Sequence, residues 1–215
     1  MSNNYLRFPP GPSLPISPKD WDAGYHDQYS NVLRLYFNQL SNNLQQLSGP
    51  RGGYRLSFPH GAFYDTTVQN AALTTQAYVI TLNSTSLSNG VSLIGGSRMT
   101  VSQEGIYNLQ FSVQLNNSSN APHDMDIWVR QNGVDIPNSN SRFGLPARKN
   151  PGDPFHILAA LNIFADMKED DYLELVWRTA DISLSLTGYA AGTSPTRPAV
   201  PSVITTLSFV SAPLR

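Results

Sequence analysis

The sequence contains no cysteine. Thiol catalysis, cysteine-ligated zinc and a disulfide framework are thereby excluded, and the chain suits assembly in a reducing cytosol. Charge is scarce as well: Asp, Glu, Lys and Arg make up 13% of 215 residues, and the formal net charge is −1. No global field draws such a chain to nucleic acid or to an anionic membrane. No apolar run approaches the roughly 18–20 residues of a membrane span. The opening segment Met1–Arg7 also lacks the apolar stretch of a signal peptide. Catalytic signatures are missing too, with no Gly-x-Ser-x-Gly, no Gly-x-x-x-x-Gly-Lys and no Asp-x-Asp-x-Asp-Gly calcium loop. The expectation is a non-enzymatic protein with no catalytic residues, cofactor or metal, and with no nucleic-acid partner or membrane insertion.

What the chain does have is alternation. In Gly105–Leu115, Tyr107, Leu109, Phe111, Val113 and Leu115 share one parity, and Gln110, Ser112 and Gln114 the other. Period two with aromatic and β-branched residues is the mark of a strand that buries one side. Further strand-like runs follow turn signals at intervals of roughly ten residues, the spacing of a sandwich. They read as 54–58, 61–64, 77–83, 91–94, 98–102, 125–131, 134–137, 155–164, 172–177, 182–189 and 203–210. Asn132-Gly133 is a strong hairpin signal, because both residues tolerate positive φ. Segments 138–153 and 193–201 read as long connections, the second held out of any central strand by its prolines.

Two different segments precede this β region. Residues 1–26 carry Pro9, Pro10, Pro12, Pro15 and Pro18, which favour an extended arm. The arm also carries Tyr5, Leu6, Phe8, Leu14, Ile16 and Trp21, apolar anchors that a free linker would lack. It either folds back on its own domain or docks on a partner, where aromatic anchors carry most of the energy. In residues 27–50 the period changes: Leu33, Phe37, Leu40, Leu44 and Leu47 step by four, three, four and three, a short heptad seam ended by Gly49-Pro50. A helix this rich in Asn, Gln and Ser is marginal alone and must be held by packing. Either it lies on its own β domain or it forms a parallel trimeric neck, the favoured reading. Residues 51–215 form the head domain.

Three blocks of the head resemble a known family. Gly105-Ile106-Tyr107-Asn108-Leu109-Gln110-Phe111 resembles the Gly-x-Tyr-x-Phe-x-Phe block of the complement-type globular head, within the tumour-necrosis-factor-like jelly rolls. Met167–Leu175 is similar to that family's turn and strand of the form Gly-Asp-x-Val-x-Leu, and Ser202–Phe209 to its closing strand. The likeness spans about residues 58–212. It implies an all-β antiparallel jelly-roll sandwich, an obligate homotrimer, and a packed inner sheet containing Tyr107, Leu109, Phe111 and Val113. The order of arm, short helix and jelly roll resembles a bacteriophage virion protein built as a fibre, knob or capsid decoration. The resemblance implies assembly in the host cytoplasm into the virion, with other capsid or tail proteins as partners. A host glycan or receptor is a further possible partner if the head is the tip of a tail fibre.

Several polar groups invite chemistry. His60 with Asp65 reads as an ordinary loop histidine, and His123-Asp124-Met125-Asp126 as a solvated strand edge, since alternation sends both aspartates to one face. Glu169-Asp170-Asp171 offers carboxylates but no calcium loop. Arg142, Arg148 and Lys149 fall in a polar connection and read as solvated. Trp128, Trp177 and Phe164 fall on strand patterns and are expected in the core rather than on a sugar-binding surface.

Overall fold

Two antiparallel seven-stranded sheets form the β-rich part of the computed structural model, which describes residues 9–48 and 58–212. The chain divides into two compact units, Met1–Ser57 and Phe58–Arg215. Eight principal strands build the second: β1 (His60–Asp65), β2 (Arg98–Val101), β3 (Gly105–Asn117), β4 (His123–Gln131), β5 (Ser141–Leu145), β6 (Phe155–Met167), β7 (Tyr172–Thr179) and β8 (Val203–Ser211). One sheet runs β1-β8-β3-β6 and the other β2-β7-β4-β5. Shorter strands extend them, Ser84–Asn89 against β1 and Val91–Ile94 against β2. Leu184–Leu186 pairs with the far end of β3.

The pairing has a simple rule. β1 pairs with β8, β2 with β7, β3 with β6 and β4 with β5, as though one long hairpin of eight strands had been rolled up. Each strand leaves one sheet parity for the core. On β3, Tyr107, Leu109, Phe111, Val113 and Leu115 are all buried between the sheets, as the alternation requires. Opposite them stand Ile127, Val129, Leu173, Leu175 and Trp177 from β4 and β7, within one continuous apolar cluster. The buried Tyr107 hydroxyl donates to the Gln103 carbonyl at 2.8 Å, which removes the cost of an orphaned polar group. Burial holds that phenol above its ordinary pKa.

Hairpin chemistry sets the ends. Asn132 and Gly133 have φ of 50° and 79°, the primed turn expected between β4 and a two-residue strand at Val134–Asp135. At the β6–β7 turn, Asp170 has φ of 66° and the next residue closes the loop. Asp171 accepts the Lys168 amide at 2.8 Å, Asn132 Nδ2 at 2.7 Å and Gln131 Nε2 at 3.1 Å. Burial pushes its pKa up, but these donors outweigh it and hold the carboxyl below its usual value.

The first unit is different in kind. Its helix, α1 (Ala23–Ser48), begins at Ala23 rather than at Asp27, because Asp22 caps it by accepting the Gly24 amide at 2.8 Å. Trp21 stacks on His26 across that cap, with ring centroids 4.1 Å apart. At 1.5 Å per residue the helix is about 39 Å long. No residue between 9 and 48 is buried among those whose exposure is described. Segments 1–8, 49–57 and 213–215 lie outside the described residues, and with them Tyr5, Leu6, Phe8 and most of the strand read at 54–58.

Candidate functional site

The two sheets present opposite outer faces to their surroundings. On the β8-β3-β6 face the cross-strand rows are Phe164–Asn108–Ser208, Asn162–Gln110–Thr206 and Ala160–Ser112–Ile204, followed by Leu158–Gln114. No Asp, Glu, Lys or Arg enters these rows; the first carboxylate is Asp166, opposite Ile106 at one end. Three large apolar side chains stand out of this uncharged surface: Phe164, 58% exposed, Leu158, 52%, and Ile204, 45%. Their positions follow from parity, because Ala165, Ala159, Val203 and Thr205 on the same strands point into the core. Phe164 therefore lies outside the core where the strand pattern alone had put it.

The β5-β4-β7 face is charged and internally paired. Asp126 on β4 sits opposite Arg142 on β5 and Arg178 on β7. Arg178 Nε donates to Asp126 Oδ2 at 2.7 Å, and Arg142 Nε donates to Oδ1 at 2.8 Å. Burial acts to raise the Asp126 pKa, but the two guanidinium groups more than offset it and hold the carboxyl below the ordinary value. One turn along, Asp135 accepts Trp128 Nε1 at 2.8 Å and Arg130 Nε at 2.9 Å, and both lower its pKa. Beyond it Arg98 approaches Glu174 at 3.4 Å and lies over the Tyr172 ring, 4.8 Å from its centroid.

This corrects two sequence expectations. β4 is not a strand edge, since β5 and β7 flank it, and Asp126 is buried between arginines rather than solvated. Trp128 shares the outward parity of Asp126 and is half-buried, while Trp177 alone of the pair is core. Arg142 belongs to a strand and an ion pair, not to a solvated loop.

One cluster has the residue types of a hydrolase relay. Ser119 Oγ lies 3.0 Å from His123 Nε2, and Asp181 Oδ2 lies 3.5 Å from the same nitrogen. A relay needs the hydroxyl on one ring nitrogen and the carboxylate on the other. Both groups here compete for Nε2, so proton transfer from Ser119 through the ring to Asp181 has no path. Asp181 is instead engaged by the Ser183 hydroxyl and amide, which keep its pKa low. No group of three His, Asp or Glu side chains able to hold a metal occurs among the described residues.

The first unit carries the remaining residues singled out from the sequence. Along α1, Leu33, Leu40 and Leu47 are half-buried, whereas Phe37 and Leu44 are exposed, Phe37 by 57%. In the arm Leu14, Ile16 and Trp21 are all exposed. Among the described residues no helix is long and apolar enough to cross a membrane. No family model matches the chain, and no curated protein matches it.

Proposed function

We propose that this chain is the protomer of a homotrimeric structural appendage of a bacteriophage virion. In this reading the β unit is a jelly-roll head, α1 is a coiled-coil neck, and residues 1–26 anchor the neck to capsid or tail proteins. The observation that carries it is the exposure of the first unit: a helix and an apolar arm in which no described side chain is buried. An isolated helix of this composition is marginal in water, so a surface outside its own turns must hold it. Phe37 and Leu44 on one heptad seam suit other copies of the same helix.

The head supports the same reading. Pairing of first strand with eighth, second with seventh, third with sixth and fourth with fifth is the pattern a rolled-up eight-stranded hairpin would give, and it supports the jelly-roll reading. Interface cores are depleted of charge and enriched in aromatic residues. The β8-β3-β6 face has that character and the ion-paired face does not, so we assign the first to copy–copy contact. The copy number of three, and the phage virion, rest on the sequence resemblance. Deleting residues 1–26 tests the anchor: the expected product is a soluble trimer absent from purified particles. A deleted chain that still enters particles would remove the anchor.

A second reading makes the head a receptor- or glycan-binding tip. A concave site beside Trp128 favours it.

A further inference from the structure

We infer that the charged face carries a binding site for a neutral saccharide unit, centred on Trp128. A cavity of about 290 Å³ opens there between β4, β7 and the turn after Val134–Asp135. That volume is near the lower bound of small-ligand sites and suits one or two sugar rings rather than a peptide. The site is built by a single protomer, so it does not depend on the trimer; it gives the tip reading a location and a ligand class.

Its lining has the mixed character that a sugar requires. Trp128 and Ile136 supply apolar surface for the C–H face of a pyranose. The indole is half-buried, and its edge is pinned because Nε1 donates to Asp135 at 2.8 Å. A ring fixed in this way loses little freedom when a ligand lands on it. Around it stand groups with hydrogen-bonding capacity to spare. The side-chain amides of Asn138 and Asn140 are exposed and have no hydrogen-bond partner among the described residues. Each offers both a donor and an acceptor, the pairing that hydroxyl groups take. Arg178 also lines the cavity; its Nε is spent on Asp126, and its terminal nitrogens are further donors of the same side chain.

The turn is held in place for this task. Asn138 has φ of 63°, and the buried Ser139 hydroxyl donates to the Ile136 carbonyl at 2.8 Å while accepting the Val129 amide at 3.1 Å. Asn138 and Asn140 thus project from a loop tied to β4 rather than from a free segment. Charge argues for neutrality in the ligand. Asp126 is matched by two arginines, one of them also near Asp124, and Asp135 is matched by Arg130. An acidic sugar would meet carboxylates already in place, and a basic one would meet arginines.

The test uses the full chain with Trp21→Phe, so that Trp128 is the half-exposed indole that responds. Glucose-, galactose- and N-acetylglucosamine-based neutral oligosaccharides are titrated beside sialylated and uronate-containing ones. Indole emission and saturation-transfer NMR are recorded, and the mass in solution is measured on the same samples. A neutral oligosaccharide is expected to change the emission and to receive saturation. Trp128→Ala, and separately Asn138→Gly with Asn140→Ala, should weaken binding by about tenfold or more, with the melting temperature nearly unchanged for the asparagine pair because glycine accepts the positive φ of position 138. Binding of acidic sugars alone, no response from any neutral one, or full affinity in the asparagine variant would each overturn the site. A trimer that binds no sugar would leave the appendage reading standing, and a monomer that binds would do the reverse.

Discussion

Phe164 on β6 stands directly opposite Asn108 on β3, with its ring outward and 58% exposed on a sheet face that carries no charge until Asp166. An aromatic ring on a row of amides and hydroxyls gains nothing from water. Covering the remaining 58% by a neighbouring copy gains about 1–2 kcal/mol. Phe164→Glu combined with Ile204→Glu should therefore convert the assembly to a monomer. The separated head should keep its melting temperature to within a few degrees, since outward substitutions cost about 0.5 kcal/mol or less. Light scattering with a thermal melt reads both. A double variant that stays assembled would remove this face from the contact.

The helix makes a separate prediction. If copies of α1 support each other, Phe37→Glu should lower ellipticity at 222 nm, and in the parent chain that signal should hold through the micromolar range and fall only on dilution below it. A helical signal independent of concentration and untouched by Phe37→Glu would mean that α1 is held within its own chain.

Asp126 sets a pH dependence. Its carboxyl titrates lower in the folded chain than when unfolded, so its ionised form stabilises the fold above the ordinary value near 4. That contribution drains away as pH falls through the folded pKa. Asp126→Asn should cost about 1–3 kcal/mol at neutral pH, discounted because both arginines are partly exposed. It should also flatten the loss of stability below about pH 4, without abolishing it, because Asp135, Asp171 and Asp181 are lowered too. Denaturant melts between pH 2.5 and 7 test the sign; an unchanged slope would contradict it.

Within β3, adjacent residues should behave oppositely. Leu109 is fully buried, and Leu109→Ala should cost about 2–5 kcal/mol. Gln110 faces outward, and Gln110→Ala should leave monomer stability within about 0.5 kcal/mol. Equal losses at both positions would mean that the face assignment of β3 is wrong.

Much of this architecture was legible because it is written in parity. β3, β4, β6 and β8 have apolar residues at alternate positions, and each forms within a few residues of the expected span. From sequence, Ser141–Leu145 reads as part of a polar connection, since its apolar signal is only Phe143 and Leu145. Ser84–Asn89 carries no strand signal for a related reason: it lies beside β1 with mostly exposed, polar side chains and has little core to mark it. Ile182–Tyr189 shortens to Leu184–Leu186, where the pairing with β3 and Gln69–Asn70 ends. The outward placement of Trp128 was available in principle, because Met125, Ile127 and Val129 fix the inward parity and leave Trp128 with Asp126 and Arg130. The burial of Asp126 was not. Its arginines come from two other strands, and no local pattern brings Arg142 and Arg178 to one carboxylate.

Mass in solution is the most direct measurement of the assembly. Sedimentation equilibrium of the full chain should give three times the 23.6 kDa protomer, about 71 kDa, across the micromolar range. A single species at 23.6 kDa, with the outer face of β8-β3-β6 open to solvent at every concentration, would contradict it.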